Sequence, residues 1–312
     1  MRASLFPGQG SQSVGMGKTL AEAMAPAREV FGEVDEALGQ HLFRLMTEGP
    51  EDELKLTENA QPAIMANALA VFRVLARHGG VELEKAAHFV AGHSLGEYSA
   101  LAAAGTFDLA TTAKLLKLRG QAMQRAVPVG EGAMAALLGA DLDLAQRIAA
   151  TAAEGEVCEV ANDNDPSQVV ISGHKGAIDR AIALAKEMGA KRAVALPVSA
   201  PFHCSLMQPA ADAMAEALGK VGLVAPAVPL YANVTAAPTA NPDTISDQLV
   251  KQVTGMVRWR ESIANMAAEG VTEFVELGGK VLGPMVKRIA PDAKVTSVVT
   301  IEDIEAIAKE LA

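Results

Sequence analysis

The sequence predicts an α/β protein with a parallel-sheet core domain and a small inserted subdomain. Short apolar runs alternate with helix-favouring segments along most of the 312 residues, and this alternation is typical of parallel sheets covered by helices. A Gly-x-Ser-x-Gly signature lies at residues 92–96, between an apolar run and a run of small residues. The order βαββαβ is predicted for residues 133–196, and it is the order of the split-βαβ, ferredoxin-like arrangement.

The first strand is predicted at residues 3–6, where Pro7 and Gly8 end it before a glycine-rich loop. This loop fits neither the GxGxxG nor the GxxxxGK[ST] spacing, so nucleotide binding is a weak alternative. Loops at the carboxyl ends of parallel strands build the sites of α/β proteins. The backbone N–H of Gln9 is therefore a candidate donor to a reacting oxygen.

The Gly-x-Ser-x-Gly signature predicts a strand, a sharp turn and a helix over residues 89–104. In this geometry Ser94 occupies a strained turn that presents its hydroxyl to a cleft. The N–H of Leu95, at the start of the helix, points at any oxyanion that forms. The signature also occurs by chance in loops, but the flanking strand and helix patterns favour Ser94 as a nucleophile.

Periodicity and capping signals place the remaining elements. Before the signature, helices are predicted at 16–38, with a break near Pro26, and at 62–78; after it, Asp108 caps a helix to residue 126. In the insertion we predict strands at 133–138, 157–161, 168–172 and 192–196, helices at 142–153 and 176–188, and a turn at 162–166. Beyond it, we predict strands at 228–232, 273–277 and 293–298, and helices ending at 219, at 243–253, 259–268 and 281–289, and at the C-terminus. The large domain is therefore predicted from residues 1–126 and 197–312, and the small subdomain from 127–196.

A serine hydroxyl needs a base within hydrogen-bonding reach, and histidine is well matched to that task at neutral pH. Among the six histidines, His203 lies on a proline-constrained loop downstream of the serine, which is the chain order of nucleophile-elbow enzymes. His93 adjoins the nucleophile and is expected to support the turn, and the other four have ordinary structural surroundings. His203 is therefore the candidate base.

Composition argues against several functional classes. A formal net charge of −10 argues against nucleic acid as the main partner. Cys158 and Cys204 fit no metal-binding spacing, and two isolated thiols favour a reducing compartment. The sequence shows neither a signal peptide nor a membrane-spanning apolar stretch. We therefore expect a cytoplasmic protein without a metal.

Five motifs resemble, in order and spacing, those of malonyl-CoA:acyl carrier protein transacylases. They are FPGQGSQ at residues 6–12, GHSLGE at 92–97, LRG at 118–120, APFH at 200–203 and ELG at 276–278. The resemblance extends over nearly the whole chain. It implies a hydrolase-like α/β domain with a ferredoxin-like insertion, in agreement with the order of elements predicted above.

The resemblance implies that Ser94 is acylated and that His203 is its base, while the N–H groups of Gln9 and Leu95 form an oxyanion hole. Arg119 would bind the free carboxylate of malonate. A guanidinium suits this role because its rigid fork pairs with both carboxylate oxygens. Without the resemblance, Arg119 would be interpreted as a surface residue of an amphipathic helix.

Further roles are implied at less distinctive positions. The family orients its histidine with a backbone carbonyl, which corresponds here to Gln252, although residues 254–258 depart from the usual Asn-Pro-Val pattern. Phe202 would narrow the space near the malonate methylene. Asn162 and Asn164 match an asparagine-containing turn in the family and are candidates to face the cleft, although asparagine in a turn often serves the backbone.

The implied reaction uses no cofactor, and its substrates are malonyl-CoA and the phosphopantetheine thiol of acyl carrier protein. Carrier proteins are typically acidic, so docking would need a local basic patch, for which Lys191, Arg192, Lys287 and Arg288 are candidates. A serine hydrolase or thioesterase, a transferase of another extender such as methylmalonyl, and a non-catalytic binding module stay open as alternatives.

Overall fold

Two β-sheets organise the chain in the computed structural model, which describes residues 1–198 and 200–311. The strands are β1 Arg2–Phe6, β2 Phe89–Gly92, β3 Gly132–Leu138, β4 Cys158–Asp165, β5 Gln168–His174, β6 Arg192–Ala195, β7 Leu230–Ala232, β8 Ala237–Thr239, β9 Glu273–Leu277 and β10 Lys294–Val298. The helices before the insertion are α1 Lys18–Ala23, α2 Ala25–Leu38, α3 Leu42–Glu48, α4 Glu51–Lys55, α5 Thr57–Arg77, α6 Leu83–Ala86, α7 Gly96–Ala103 and α8 Leu109–Ala126. The later helices are α9 Leu142–Ala153, α10 Lys175–Ala185, α11 Gln208–Leu218, α12 Pro242–Thr254, α13 Trp259–Ala268, α14 Leu282–Ile289 and α15 Ile301–Leu311.

The larger sheet has six strands in the order β10-β9-β1-β2-β7-β8. All neighbours in it are parallel except the β7–β8 pair. Alternate residues of β1 enter different cores, with Ala3 and Leu5 on one face and Phe6 on the other. Both faces are therefore covered, as expected for a parallel sheet, and the predicted α/β class is confirmed.

The smaller sheet has four antiparallel strands in the order β4-β5-β3-β6. With α9 and α10 it encloses a separate core of alanine and larger aliphatic residues, including Ala135, Ile148, Ile171 and Ala181. This topology confirms the predicted ferredoxin-like insertion. Its elements lie within the predicted range 127–196, and the division into domains at those boundaries stays a prediction.

The predicted turn at residues 162–166 is wrong, because β4 continues to Asp165. Register shifts between Val160 and Asn162 and between Asp163 and Asp165 break the simple alternation, so residues 161–165 are all buried. The polar composition of this segment is typical of a turn. In the structure, however, Asp163 and Asp165 form a hydrogen bond and ion pairs with residues that are distant in sequence. The N–H of Asp163 donates to the carbonyl oxygen of Val257 at 3.0 Å, joining β4 to the segment before α13.

Ion pairs strengthen the same junction. The Asp163 carboxylate accepts from Arg260 at 2.8 Å, and the Asp165 carboxylate accepts from Arg288 at 2.8 Å. Both aspartates are buried, with side chains at most 1% exposed. A buried carboxylate is costly unless it is paired, so these contacts fix the insertion against α13 and α14.

The N-terminal helices also differ from the sequence prediction. α5 begins at Thr57, five residues before Pro62, and α3 and α4 were not predicted. Thr57, Asn59, Ala60 and Gln61 are buried, so tertiary packing extends the helix beyond a residue that usually marks a first turn. Among the described residues, no helix is both long and apolar enough to cross a membrane.

Candidate active site

A sharp turn between β2 and α7 positions Ser94. Its backbone has φ of 54°, a left-handed conformation that is strained for a residue with a side chain. Close packing enforces this turn: a Cβ on Gly92 would lie 1.9 Å from the carbonyl carbon of Gly96, and one on Gly96 would lie 2.3 Å from the carbonyl oxygen of Phe6. The two glycines of the signature therefore permit the strand and helix to approach.

His203 contacts the serine hydroxyl. Its Nε2 lies 2.8 Å from Ser94 Oγ, and its Nδ1 lies 2.8 Å from the backbone carbonyl oxygen of Gln252. A carbonyl can only accept, so Nδ1 carries the proton and Nε2 is left to accept from the hydroxyl. His203 also has a positive φ, of 56°.

Burial lowers the pKa of His203 to about 3, and the neighbouring Arg119 charge adds to that effect. The imidazole is therefore neutral at physiological pH. A neutral imidazole that accepts from a serine hydroxyl can act as a general base.

Two residues that line the space around Ser94 have backbone N–H groups without an acceptor in the described part of the chain. Gln9 and Leu95 both line the cavity that contains the serine, and neither N–H has an acceptor within residues 1–198 and 200–311. The Gln9 side chain accepts a hydrogen bond from Thr57 Oγ1 at 3.1 Å, which holds its loop against α5. Free N–H groups in such positions can receive developing negative charge.

Arg119 projects from α8 to the same serine, and it is 1% exposed. Nη1 donates to Gln61 Oε1 at 2.8 Å, and Nη2 donates to Gln252 Oε1 at 2.8 Å and to Ser94 Oγ at 3.2 Å. The guanidinium also lies over the ring of Tyr98, 5.7 Å from its centroid. Burial lowers the pKa of Arg119, and its hydrogen-bond acceptors are uncharged. The site therefore holds a buried cation suited to a ligand carboxylate.

These groups open into a cavity of about 320 Å³, a volume that suits a small acyl group and part of its carrier. The lining residues are Gln9, Gly10, Gln12, Lys55, Gln61, His93, Ser94, Leu95, Arg119, Met123, Met134, Asn162, Leu196, Pro197, Val198, Phe202 and His203. In the described part of the chain, no cluster of three or more His, Cys, Asp or Glu side chains could hold a metal ion.

The less distinctive predicted residues have different positions. Phe202 and Asn162 line the cavity. Asn164 lies behind it, where its Oδ1 accepts from His93 Nε2 at 2.8 Å, so its contact with the site is indirect. Gln252 meets His203 through its backbone and Arg119 through its side chain.

Sequence analysis missed two buried polar residues beside the nucleophile. Asn233 accepts from the N–H of Ser94 at 2.9 Å and donates to the carbonyl oxygen of Gly92 at 2.7 Å. Glu97 accepts from the N–H of Asn233 at 2.8 Å. One sequence signal could have identified Asn233. It follows directly after the buried strand β7, just as the loop that contains Gln9 follows β1.

The four candidate docking cations do not form one patch. Lys191 and Arg192 are exposed at β6, while Arg288 pairs with Asp165 of β4. These strands are the opposite edges of the small sheet. Lys287 donates to the carbonyl oxygen of Ala293 at 2.6 Å. The exposed side chains of Lys191 and Arg192 are therefore more available to a partner protein than those of Lys287 and Arg288, which already contact this chain.

Comparison with known proteins shows similarity over almost the whole chain. The family model described as acyl transferase domain matches residues 4–282. The malonyl CoA-acyl carrier protein transacylase of Escherichia coli strain K12 is 48% identical over 288 residues, covering 92% of each chain. The crystal structure of an acyl-carrier-protein-S-malonyltransferase from Bartonella henselae is 54% identical, with a TM-score of 0.97 and 99% of each chain covered. A malonyl-transacylase solved in complex with its type II PKS acyl-carrier protein is 38% identical, with a TM-score of 0.95 and 99% of each chain covered.

Proposed function

The chain belongs to the acyl transferase domain family, and we propose that it transfers a malonyl group from malonyl-CoA to the phosphopantetheine thiol of acyl carrier protein, supplying the extender unit for fatty acid synthesis. Similarity to proteins of that named activity supports the assignment. The observation that carries it in this chain is a buried guanidinium 3.2 Å from the hydroxyl of a serine that also contacts a histidine. A simple hydrolytic serine would not need that cation.

In the first half-reaction, Ser94 Oγ attacks the thioester carbonyl carbon while His203 Nε2 takes the hydroxyl proton. The resulting oxyanion lies between the N–H groups of Gln9 and Leu95, and one such donor is typically worth about 3 to 4 kcal/mol in the transition state. The carbonyl of Gln252 stabilises the imidazolium through Nδ1–H. Collapse of the intermediate breaks the carbon–sulfur bond, and the CoA thiolate takes the proton from His203.

In the second half-reaction, the carrier-protein thiol gives its proton to His203 and attacks the ester of malonyl-Ser94. The tetrahedral intermediate collapses to the new thioester, and His203 returns the proton to Ser94 Oγ. One thioester replaces another of similar energy. The proposed transfer therefore balances without a cofactor.

Arg119 selects the acyl group in this proposal. Acylation removes the hydroxyl that Nη2 contacts, and the guanidinium can then pair with the free carboxylate of malonyl-Ser94. An acetyl group leaves the buried cation without a charged partner, and such a loss costs about 2 to 5 kcal/mol. Malonyl transfer is thus favoured over acetyl transfer.

Phe202 and Asn162 border the acyl group in the same proposal. Phe202 is 9% exposed and lines the cavity beside His203, so it restricts the space for a methyl branch. Replacing Phe202 with serine should raise methylmalonyl transfer relative to malonyl transfer. An equal ratio of methylmalonyl to malonyl transfer in the wild type and in Phe202→Ser would contradict this role of Phe202.

The carrier protein docks at the pair Lys191 and Arg192. Their strand β6 leads directly into Leu196, Pro197 and Val198 of the cavity wall, so a partner bound there can deliver a flexible thiol to the cavity. We place the reaction in the cytoplasm, since the buried free thiols Cys158 and Cys204 favour a reducing compartment.

Mass spectrometry of the protein after brief exposure to malonyl-CoA tests the proposal. We expect a malonyl adduct on the Ser94 peptide that is absent in Ser94→Ala and that is discharged faster by a pantetheine thiol than by water. Faster discharge by water would identify a hydrolase. Absence of any adduct on Ser94 would contradict both the nucleophile and the substrate.

A further inference from the structure

Glu97 lies in the first turn of α7, three residues after the nucleophile, and is 1% exposed. Its Oε1 accepts from the backbone N–H of Asn233 at 2.8 Å, and its Oε2 accepts from Gln252 Nε2 at 2.5 Å. Neither residue is a neighbour in sequence. The carboxylate therefore ties α7 to the segment after β7 and to α12.

Both partners of Glu97 hold groups that react or bind substrate in the proposed function. Asn233 Oδ1 accepts from the N–H of Ser94 at 2.9 Å. Gln252 contributes twice, since its side-chain oxygen accepts from Arg119 at 2.8 Å and its backbone oxygen accepts from His203 at 2.8 Å. Each of the three site residues, Ser94, Arg119 and His203, therefore has a hydrogen bond to a residue that Glu97 holds.

We propose that Glu97 is a positioning residue that fixes the orientation of the Gln252 side-chain amide, and through it the placement of Arg119 for a carboxylate substrate. This inference rests on the proposed malonyl transfer. Gln252 Nε2 donates to Glu97 Oε2 at 2.5 Å, to the backbone oxygen of Ser94 at 3.0 Å and to Asn233 Oδ1 at 3.2 Å. Glu97 is the charged and shortest of these acceptors, and with Nε2 held on this side Oε1 is directed to the guanidinium. In the opposite orientation the amide would present N–H groups to N–H groups of Arg119, which is repulsive.

Only a group with two acceptor ends satisfies both partners of Glu97. The backbone N–H of Asn233 cannot become an acceptor, and Gln252 must present Nε2 if its oxygen is to meet Arg119. A carboxylate accepts at both oxygens, whereas a carboxamide of the same shape accepts at one end and donates at the other. Glutamine matches the size of glutamate but not its two acceptor oxygens. The ionised carboxylate is therefore required here for the pattern of hydrogen bonds.

The ionised form of Glu97 is also accessible. Burial raises its pKa to about 7, while the hydrogen bonds from Asn233 and Gln252 and the charge of Arg119 oppose that rise. At pH 8 the carboxylate is therefore largely charged. The acylation rates that test the inference should therefore be measured at pH 8.

The test is Glu97→Gln in the full-length protein, measured as the rate of Ser94 acylation by malonyl-CoA and by acetyl-CoA. The isosteric amide should turn Gln252 and misplace Arg119, lowering the malonyl-to-acetyl rate ratio by about tenfold or more, as for loss of a hydrogen bond to a charged group. In an Arg119→Ala background the same change should leave the ratio within about twofold, because the two residues act through one path.

Glu276→Gln is the matched control. Glu276 is a fully buried glutamate that accepts from the N–H groups of Val281, Leu282 and Gly283, and it makes none of the hydrogen bonds of the site. Its replacement should lower the thermal unfolding midpoint and leave the rate ratio unchanged. An unchanged ratio in folded Glu97→Gln, or equal changes in both variants, would overturn the inference.

If Glu97→Gln does not fold, Glu97→Met supplies the same measurement, because it keeps a similar side-chain length, introduces no mismatched N–H donor and removes both acceptor oxygens of Glu97. A tenfold fall in its ratio supports the inference, and an unchanged ratio overturns it. Acylation of the wild-type protein separates the proposed malonyl transfer from the proposed role of Glu97. Failure of wild-type Ser94 to accept malonyl contradicts the proposed function, whereas normal wild-type acylation with an unaltered ratio in the variant contradicts only the role of Glu97.

Discussion

At the scale of single residues, the site depends on a buried cation with uncharged hydrogen-bond partners. Arg119 is anchored by Gln61 and Gln252, which fix its direction without neutralising it. Its remaining short contact is to the nucleophile itself. A guanidinium held in this way discriminates between acyl groups by charge more strongly than an apolar pocket discriminates by size.

Arg119→Ala should lower kcat/KM for malonyl transfer by an amount equivalent to about 2 to 5 kcal/mol, because the carboxylate loses its partner. Acetyl transfer should persist or rise, since no buried cation remains to be paired. Steady-state kinetics with both donors measures the two effects. Arg125→Ala, an exposed arginine on the same helix, is the control, and equal loss of both activities in Arg119→Ala would contradict the role.

A second residue-scale prediction concerns the protonation of His203. Because burial and the Arg119 charge lower its pKa to about 3, its NMR signal, assigned by comparison with His203→Gln, should not shift between pH 8 and pH 5. In Arg119→Ala the titration should move to higher pH. A wild-type midpoint near the ordinary value of about 6.5 would contradict this picture.

The same shift has a consequence for stability. The unfolded chain binds a proton to this histidine below about pH 6.5, whereas the folded chain does not bind it until about pH 3. The contribution of His203 to the free energy of unfolding is therefore complete above pH 6.5 and is lost progressively as the pH falls toward 3.

Some of these residues could be found from sequence, and others could not. Ser94 is marked by two glycines that its turn requires, and His203 by chain order. Glu97 lies in the first turn of a helix, where an acidic residue is favoured by the helix dipole alone. Its role arises from Asn233 and Gln252, which are 136 and 155 residues away, and no local pattern encodes those contacts.

At the scale of elements, the turn at Ser94 depends on close approach of β1, β2 and α7. Gly96→Ala would place a methyl group 2.3 Å from the backbone oxygen of Phe6, which cannot move without displacing β1. We expect destabilisation by about 3 kcal/mol, the upper part of the usual range for overpacking, together with loss of acylation. Chemical denaturation measures the first effect.

Gly32→Ala is the matched control for that substitution. Gly32 lies inside α2 and a Cβ there would meet nothing within 4 Å. Alanine should therefore stabilise the protein by about 0.5 to 1 kcal/mol through helix propensity. Similar losses of stability in both variants would show that the close contact at Gly96 is not the cause.

Element boundaries were predictable where local signals agreed with tertiary packing. Asp108 caps α8 as predicted, accepting from the N–H of Thr111 at 2.6 Å. The end of β4 was not predictable, because Asp163 and Asp165 have the composition of a turn and become strand residues only when Arg260 and Arg288 pair with them. Those partners come from α13 and α14, far along the chain.

At the scale of the whole molecule, the insertion forms one wall of the cavity and offers the exposed edge strand β6. Composition could not locate a docking surface, because a net charge of −10 does not say where positive charge lies. The structure distinguishes the two candidate pairs. Arg288 takes part in the junction with β4, while Lys191 and Arg192 stand at the start of the strand that leads into the cavity wall.

Charge reversal of Lys191 and Arg192 to glutamate should therefore raise the KM for acyl carrier protein by about five- to tenfold, consistent with two exposed charges worth up to about 1 kcal/mol each. Transfer to a small pantetheine thiol should be unaffected, because the reacting groups are unchanged. Lys309→Glu, an exposed lysine on α15, controls for net charge. Since exposed charges are screened by salt, the difference from wild type should shrink as ionic strength rises. An unchanged carrier KM at low salt, or an equal increase in Lys309→Glu, would exclude this edge of the sheet as the docking site.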